Sequence, residues 1–425
     1  MSTAHRMSGT QGVVVGVDVG GTFTDLFVLD EAGGAARVVK VPSTRGEEAR
    51  GFMDGIARVA DGADALATIV HGTTVGTNAL LERKVARTGI ITTAGFRDVL
   101  EMRRRDRPQT WGLRGNYEPV VPRDLRMEVN ERVLADGTVH TPVDLGQVES
   151  AARALLAQGC EAVCVFFVNA YANPANEAQA AARVRAVWPN GNVTAATEVL
   201  PEIREFERCS TAVLNAALQP VVGSYLTRLE SDLREQGFKG ELLVVQSNGG
   251  VMSRQTACDV PVRTALSGPA AGVIACAAIA RASGFPDVVT GDMGGTSFDV
   301  SLVAGGEASL SAQTVIDFGM VVRAPMIQIE TIGAGGGSIA SVDAGGLLQV
   351  GPESAGSNPG RPAMAEAIPG RPSPTPTCCW AEFRLTARWA AGYWLLWTWT
   401  LRAPRSKRTS PSRLAWTSMR RLRRS

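Results

Sequence analysis

Two copies of one pattern carry the strongest chemical signal in the chain. Asp18-Val-Gly20-Gly21-Thr22-Phe-Thr24-Asp25 returns 274 positions later as Asp292-Met-Gly294-Gly295-Thr296-Ser297-Phe-Asp299, and each copy runs on into alternating apolar residues. Paired glycines let backbone N–H groups approach an anion because no Cβ intervenes, and the adjoining threonine hydroxyl adds a donor. The leading aspartate suits Mg2+, which takes oxygen ligands and keeps several waters. The apolar run after the glycines reads as a strand, so each copy is a β-hairpin rather than the strand-to-helix turn of a dinucleotide fingerprint. No GxxxxGK(S/T) phosphate loop occurs. A single hairpin of this kind is commonly only a turn. Two in equivalent contexts suggest two related lobes, each offering a phosphate-gripping hairpin to one nucleotide in the cleft between them.

Other clusters leave two readings open. Thr331-Ile-Gly333-Ala-Gly335-Gly336-Gly337-Ser338 can rest a flat base or ribose against backbone, or serve as a flexible loop. His71-Gly72-Thr73-Thr74-Val-Gly76-Thr77-Asn78 stands where a strand ends and a helix begins, suited to an anion or to capping by its threonines. His71 is one of three histidines, which leaves acid/base work open to it. Gln246-Ser247-Asn248-Gly249-Gly250 and Ser267-Gly268-Pro269-Ala270-Ala271-Gly272 read as architectural glycine turns after apolar strands. Arg103, Arg104, Arg105 and Arg107 form either a steering patch for an anionic substrate or, more commonly for such runs, a solvated loop. Cys160 and Cys164 fall in an apolar stretch and are read as inert.

These residues need strands and helices to hold them, and the periodicity supplies both. Strands are predicted at Val13–Val17, Phe23–Leu29, Leu66–Val70, Thr88–Thr92, Ala162–Val168, Leu242–Gln246, Val288–Thr290 and Val300–Val303. Helices are predicted at Glu47–Ala60, Thr74–Lys84, Leu145–Ala157, Ala175–Val187 and Glu205–Leu233, the last kinked at Pro220. The alternation argues for an α/β protein.

With 425 residues, 45% apolar and 20% charged, the chain can bury two or three cores, which excludes whole-chain disorder. No apolar run approaches the roughly 18 residues of a membrane span. Seven cysteines without a CxxC pair suit a reducing cytoplasm, and the N-terminus lacks a secretory pattern. The formal net charge of +2 hides a break. Residues 1–360 carry 30 Lys+Arg against 39 Asp+Glu, whereas residues 361–425 carry 13 against two, together with six of the eight tryptophans. A basic, aromatic tail would suit nucleic acid or a membrane surface had it been selected to bind.

The segments VGVDVGGTFTDLFVLD, HGTTVGTNALLERK, LPEIREFERCSTAVLNA, SNGGVMS, LSGPAAGV, GDMGGTSFDVSLV and TIGAGGGSIA, in this order, closely resemble the ATP-dependent hydantoinase A/5-oxoprolinase family from about Val13 to Gly360. The resemblance implies an actin/Hsp70/sugar-kinase-like two-lobed ATPase fold, with an N-terminal domain at 12–195 and a partial hydantoinase A domain at 196–360. It implies ATP-driven opening of a cyclic amide with a B-type partner subunit, the alternatives being an acetone-carboxylase-type β subunit or a non-catalytic actin/Hsp70-like nucleotide-binding module; ATP and Mg2+ are the expected cofactors, and no nucleic-acid or membrane partner is expected. Carried onto this sequence, it sets the phosphates on Gly20, Gly21, Thr22, Gly294, Gly295 and Thr296, the metal on Asp18 and Asp292, and the adenosine near Gly335, Gly336 and Gly337. His71 and Thr73 fall beside the transferred phosphoryl group, with Asp25 and Asp299 as further catalytic candidates. One departure is Glu330 before Thr331, where relatives often carry histidine.

The resemblance ends where the composition breaks, so the second lobe is expected to be incomplete. Back-translating residues 361–383 and shifting the reading by two bases permits PACHGRGNTRPTVTDANLLLGRI, which resembles the family's continuation. Residues 361–425 are therefore expected to be an out-of-frame tail, and its tryptophans and arginines to be unselected.

Overall fold

The computed structural model describes residues 12–20, 23–30, 34–43, 48–59, 63–107, 117–294, 297–335, 338–342 and 345–354. Gly21, Thr22, Gly295, Thr296, Gly336, Gly337 and the tail 361–425 lie outside them, and so do the expectations placed on those residues. All described residues belong to the unit Met1–Met364.

The chain opens with β1 (Val13–Val19), β2 (Phe23–Asp30) and β3 (Ala35–Pro42), then α1 (Glu48–Val59), β4 (Leu66–Thr73) and α2 (Val75–Leu81). A second layer follows: β5 (Thr88–Thr93), α3 (Val99–Met102), β6 (Arg126–Val129), a small hairpin of β7 (Arg132–Val133) and β8 (Val139–Thr141), α4 (Leu145–Ala157), β9 (Ala162–Phe166), α5 (Ala175–Val187), β10 (Val193–Ala195) and α6 (Ala196–Val199). Helix α7 (Glu205–Glu235) leads back to β11 (Glu241–Val245) and β12 (Val251–Ser253), then α8 (Arg254–Asp259), α9 (Ser267–Ala282), β13 (Val288–Met293) and β14 (Phe298–Ala304).

The first sheet has the order β12-β11-β4-β1-β2-β3. Its alternating residues Val15, Val17, Val19, Leu26 and Val28 are buried in one cluster with Phe52, Ile56 and Val59 of α1 and Leu229 and Leu233 of α7. Each such side chain contributes about 1.5–3 kcal/mol by leaving water. The second sheet, β10-β9-β5-β6, is parallel throughout. Strand β9 is buried at every position, which explains why it reads as an unbroken apolar run instead of alternating. A third sheet joins β13 to β14, and β14 also pairs with the short strands 307–308 and 330–332.

Two departures from the sequence reading matter for the site. Ser267–Gly272, expected as a turn, is the first part of the sixteen-residue helix α9. Strand β3, which was not anticipated, completes a three-stranded meander with the first glycine hairpin. Pro220 lies within α7, which the structure extends to 31 residues.

Candidate active site

The repeat in sequence is a repeat in structure, bond for bond. Asp18 stands directly across from Asp25 in the β1–β2 register, and Asp292 directly across from Asp299 in β13–β14. Gly20 N–H donates to the Phe23 carbonyl at 3.0 Å, and Gly294 N–H donates to the Ser297 carbonyl at 2.9 Å. The third strand is repeated as well. Lys40 of β3 stands across from Asp25 and forms an ion pair with it at 2.8 Å, while Thr331 stands across from Asp299 and donates its hydroxyl to Oδ1 at 2.6 Å. A cation beside one hairpin is thus replaced by a neutral hydroxyl beside the other.

Helix α9 bridges the two hairpins. Leu266 enters it with φ at 60°, a strained value for a branched side chain, and its N–H donates to Thr77 Oγ1 at 3.0 Å. Ser267 Oγ donates to the Thr73 carbonyl at 3.0 Å and accepts from Thr73 N–H at 3.3 Å, which fastens the helix start to the β4–α2 junction. One residue on, a Cβ at Gly268 would stand 2.9 Å from Asp18 Oδ1, and one turn later a Cβ at Gly272 would stand 4.0 Å from Asp292 Oδ2. Positions 268 and 272 share a helix face. Both leading aspartates therefore face one glycine-lined side of α9 at its N-terminal end, where free N–H groups favour anions.

The electrostatics fit that crowding. Asp18 keeps an exposed edge, but its carboxylate is packed against Gly72 and Gly268. Burial, then the charges of Asp25 and Asp292, push its pKa up to about 6 against the opposing pull of Lys40. Burial and, after the opposing Thr331 bond, Asp292 raise Asp299 in the same direction. Unneutralised carboxylates from both hairpins converging at one place are a donor set that a divalent cation would relieve. Among the described residues no three His, Cys, Asp or Glu side chains form a ready-made cage. Asp18 and Asp292 offer oxygen donors, the ligand type that Mg2+ takes alongside water and phosphate oxygens.

His71 and Thr73, expected beside the transferred phosphoryl group, lie at the C-terminal end of β4. Both are fully buried. His71 Nδ1 lies 3.3 Å from the Val17 carbonyl, and Nε2 lies 2.9 Å from the Tyr225 hydroxyl. A carbonyl can only accept, so Nδ1 carries the proton and Tyr225 donates to Nε2. Burial pushes the imidazole down to about 4, keeping it neutral. Phe52 packs edge-on against the ring at 5.1 Å. The neighbouring Thr73 Oγ1 accepts from Val75 N–H at 3.2 Å. These groups form the floor beneath Asp18.

Gly335 N–H donates to Ser338 Oγ at 2.9 Å. Arg104, Arg105 and Arg107 are exposed in a loop, as the sequence reading favoured, and Arg103 alone is half-buried. The Arg103 guanidinium lies between the rings of Tyr117 and Phe318, 4.4 Å and 4.2 Å from their centroids, and Arg104 pairs with Glu207 at 2.5 Å. Cys164 is buried, and its thiol is raised well above the ordinary range by that burial. Sequence reasoning missed Lys40, Tyr225, Ser267 and Gly268. The motif LSGPAAGV contained the last two, and proline in the first turn of an alanine-rich run was the available helix signal.

A mixed α/β protein whose repeated acidic hairpins converge on one helix start is the class this site defines. The chain belongs to the hydantoinase/oxoprolinase family: the model of the hydantoinase/oxoprolinase N-terminal region matches residues 14–188, and the hydantoinase/oxoprolinase model matches residues 208–381. The second match extends past Gly360, where the sequence reading ended the resemblance. The chain is 39% identical over 358 residues to caprolactamase subunit alpha of Pseudomonas jessenii, covering 81% of this chain and 51% of that protein. It is 34% identical over 372 residues to the acetophenone carboxylase gamma subunit of Aromatoleum aromaticum, covering 81% and 50%. The fold is similar to the crystal structure of the ATP-dependent caprolactamase from Pseudomonas jessenii, with a TM-score of 0.71 and 38% identity over 82% of this chain and 52% of that one. The chain spans about half the length of these relatives. Among the described residues no helix is long and apolar enough to cross a membrane.

Proposed function

We propose that this chain is the nucleotide-binding part of a cytoplasmic, ATP-dependent enzyme subunit that opens a cyclic amide, with the two hairpins gripping one MgATP between two actin-like lobes. An N-terminal domain is assigned to residues 12–195 and a partial hydantoinase A domain to residues 196–360. The observation that carries this reading is the convergence of Asp18 and Asp292, from repeated hairpins, on the same face of α9. Gly20 and Gly294, with their neighbours Gly21, Thr22, Gly295 and Thr296, would hold the phosphates, and Asp18 and Asp292 would hold Mg2+. Gly335 to Gly337 would take the adenosine.

A lactam, hydantoin or 5-oxoproline amide is resonance-stabilised and its nitrogen leaves poorly. Bound MgATP supplies the phosphoryl group that makes such a carbonyl carbon open to water. The chain's own residues do the positioning and charge neutralisation on which phosphoryl transfer depends. Asp25 is held by Lys40 and Asp299 by Thr331, so each leading aspartate keeps a fixed cross-strand neighbour. His71, Thr73 and Tyr225 fix the β1–β4 floor from below.

The relative named as a caprolactamase subunit alpha supports both the amide substrate and a partner subunit. The relative named as a carboxylase gamma subunit supports a second reading, in which the same ATP site activates a ketone or bicarbonate. The test is ADP release by the protein with its partner subunit, on a panel of lactams, hydantoins and 5-oxoproline. Ring-opened product supports the first reading, bicarbonate-dependent carboxylate product supports the second, and turnover that ignores every substrate contradicts both.

A further inference from the structure

The two hairpins match in register but differ in one charge. Residues directly across from one another in neighbouring strands share a face of the sheet, so Asp18 of β1, Asp25 of β2 and Lys40 of β3 form one row across three strands. The second hairpin repeats the row as Asp292, Asp299 and Thr331. Lys40 is therefore a cation whose counterpart is neutral. Its Nζ reaches both Asp25 carboxylate oxygens, at 2.8 Å and 2.9 Å, and lies 5.2 Å from the centre of the Phe23 ring. Phe23 also closes the glycine turn, since its carbonyl accepts from Gly20 N–H. The residue that closes the second turn in the same way is Ser297, so the aromatic seat of the lysine is missing there too.

The place of the ammonium limits what it can do. The Lys40 and Asp25 side chains are 54% and 44% exposed. An ion pair so open to water is weak, and its partners exchange readily. Asp25 and Asp292 repel the charge of Asp18 while Lys40 attracts it, so the ammonium lies within electrostatic reach of the leading aspartate. The terminal phosphate of ATP carries more negative charge than either inner phosphate, and a lysine on its flexible stem binds such a group as a point charge.

We propose that Lys40 is a phosphate-contacting residue, whose ammonium leaves Asp25 for an oxygen of the terminal phosphate when MgATP enters the first hairpin. The inference rests on the nucleotide reading above and names a contact within it. Asp25 is then the parking partner that holds the ammonium over the turn in the empty protein, and Phe23 keeps it at the turn end of the sheet. The second hairpin, with Thr331 and Ser297 at the matching places, has no such contact to offer.

The experiment titrates MgATP and MgADP into the protein, its Lys40→Met and Asp25→Asn variants and the double variant. Lys40→Met is expected to weaken MgATP on the order of tenfold and MgADP less than about twofold, because only ATP carries the terminal phosphate. Asp25→Asn removes the competing carboxylate and is expected to tighten MgATP, a gain that vanishes in the double variant. A lysine that only holds Asp25 in place gives the reverse: equal weakening of both nucleotides in Lys40→Met, or weaker MgATP in Asp25→Asn. Either result overturns the proposal. Unchanged MgATP affinity in Lys40→Met also overturns it and leaves the nucleotide reading standing, whereas a wild-type protein that binds neither nucleotide overturns that reading and the proposal with it.

Discussion

Gly268 of α9 meets Asp18 of β1 so closely that a Cβ would fall 2.9 Å from the carboxylate oxygen. Gly72 closes the other side, its Cβ position 3.1 Å from the same oxygen. Two glycines on separate elements thus frame one carboxylate. An alanine at 268 suits a helix by about 1 kcal/mol over glycine. Gly268→Ala is therefore expected to leave the melting temperature unchanged or slightly raised, while pushing Asp18 aside and weakening MgATP binding tenfold or more, about 1.4 kcal/mol. Titration calorimetry beside a thermal melt checks both halves.

Asp18 should carry a stability cost at neutral pH. Its folded pKa of about 6 stands above the ordinary 3.8. The folded state thus holds the proton more tightly, and the contribution is favourable at low pH and lost as pH rises from about 4 through 6. In metal-free buffer Asp18→Asn is expected to melt higher than the wild type at pH 7.5, with the difference vanishing near pH 4. A variant less stable at pH 7.5 would show that the carboxylate is not crowded.

The coupling between the two hairpins has its own readout. Asp292 contributes to the raised pKa of Asp18, so Asp292→Asn should move the Asp18 titration to lower pH. Carbon-13 chemical shifts of the Asp18 carboxyl measure this directly. An unchanged titration would mean that the second hairpin does not reach the first.

His71 is expected to act on stability before chemistry. Replacing it with Phe removes the partners of the Tyr225 hydroxyl and the Val17 carbonyl, at a cost of about 1–3 kcal/mol for a buried group left unpaired. Its folded pKa, pushed down to about 4, gives stability that is full above 6.5 and lost as pH falls towards 4. The deficit of His71→Phe in urea unfolding should narrow over that interval. Unchanged unfolding with lost turnover would return His71 to the chemical step.

What was legible in the sequence follows from where local signals coincide with burial. Helices α4 and α5 match their predicted bounds because each shows one apolar face against a sheet. The hairpins were legible because the same residues recur at one spacing. Helix α9 was not, since its glycines and proline imitate a turn and its apolar run has no polar face to mark a period. The buried state of His71 was also hidden, because a histidine after a strand looks alike whether it faces a cleft or a floor. Tyr225, its partner, is 154 residues away, and only the tertiary fold brings the two together.

The central claim is that two hairpins hold one nucleotide. Calorimetric titration of MgATP into the protein, its Asp18→Asn variant and its Asp292→Asn variant tests it most directly. The expected result is one nucleotide per chain, with binding lost or reduced at least tenfold in either variant. Two nucleotides per chain, or wild-type affinity in either variant, would contradict it.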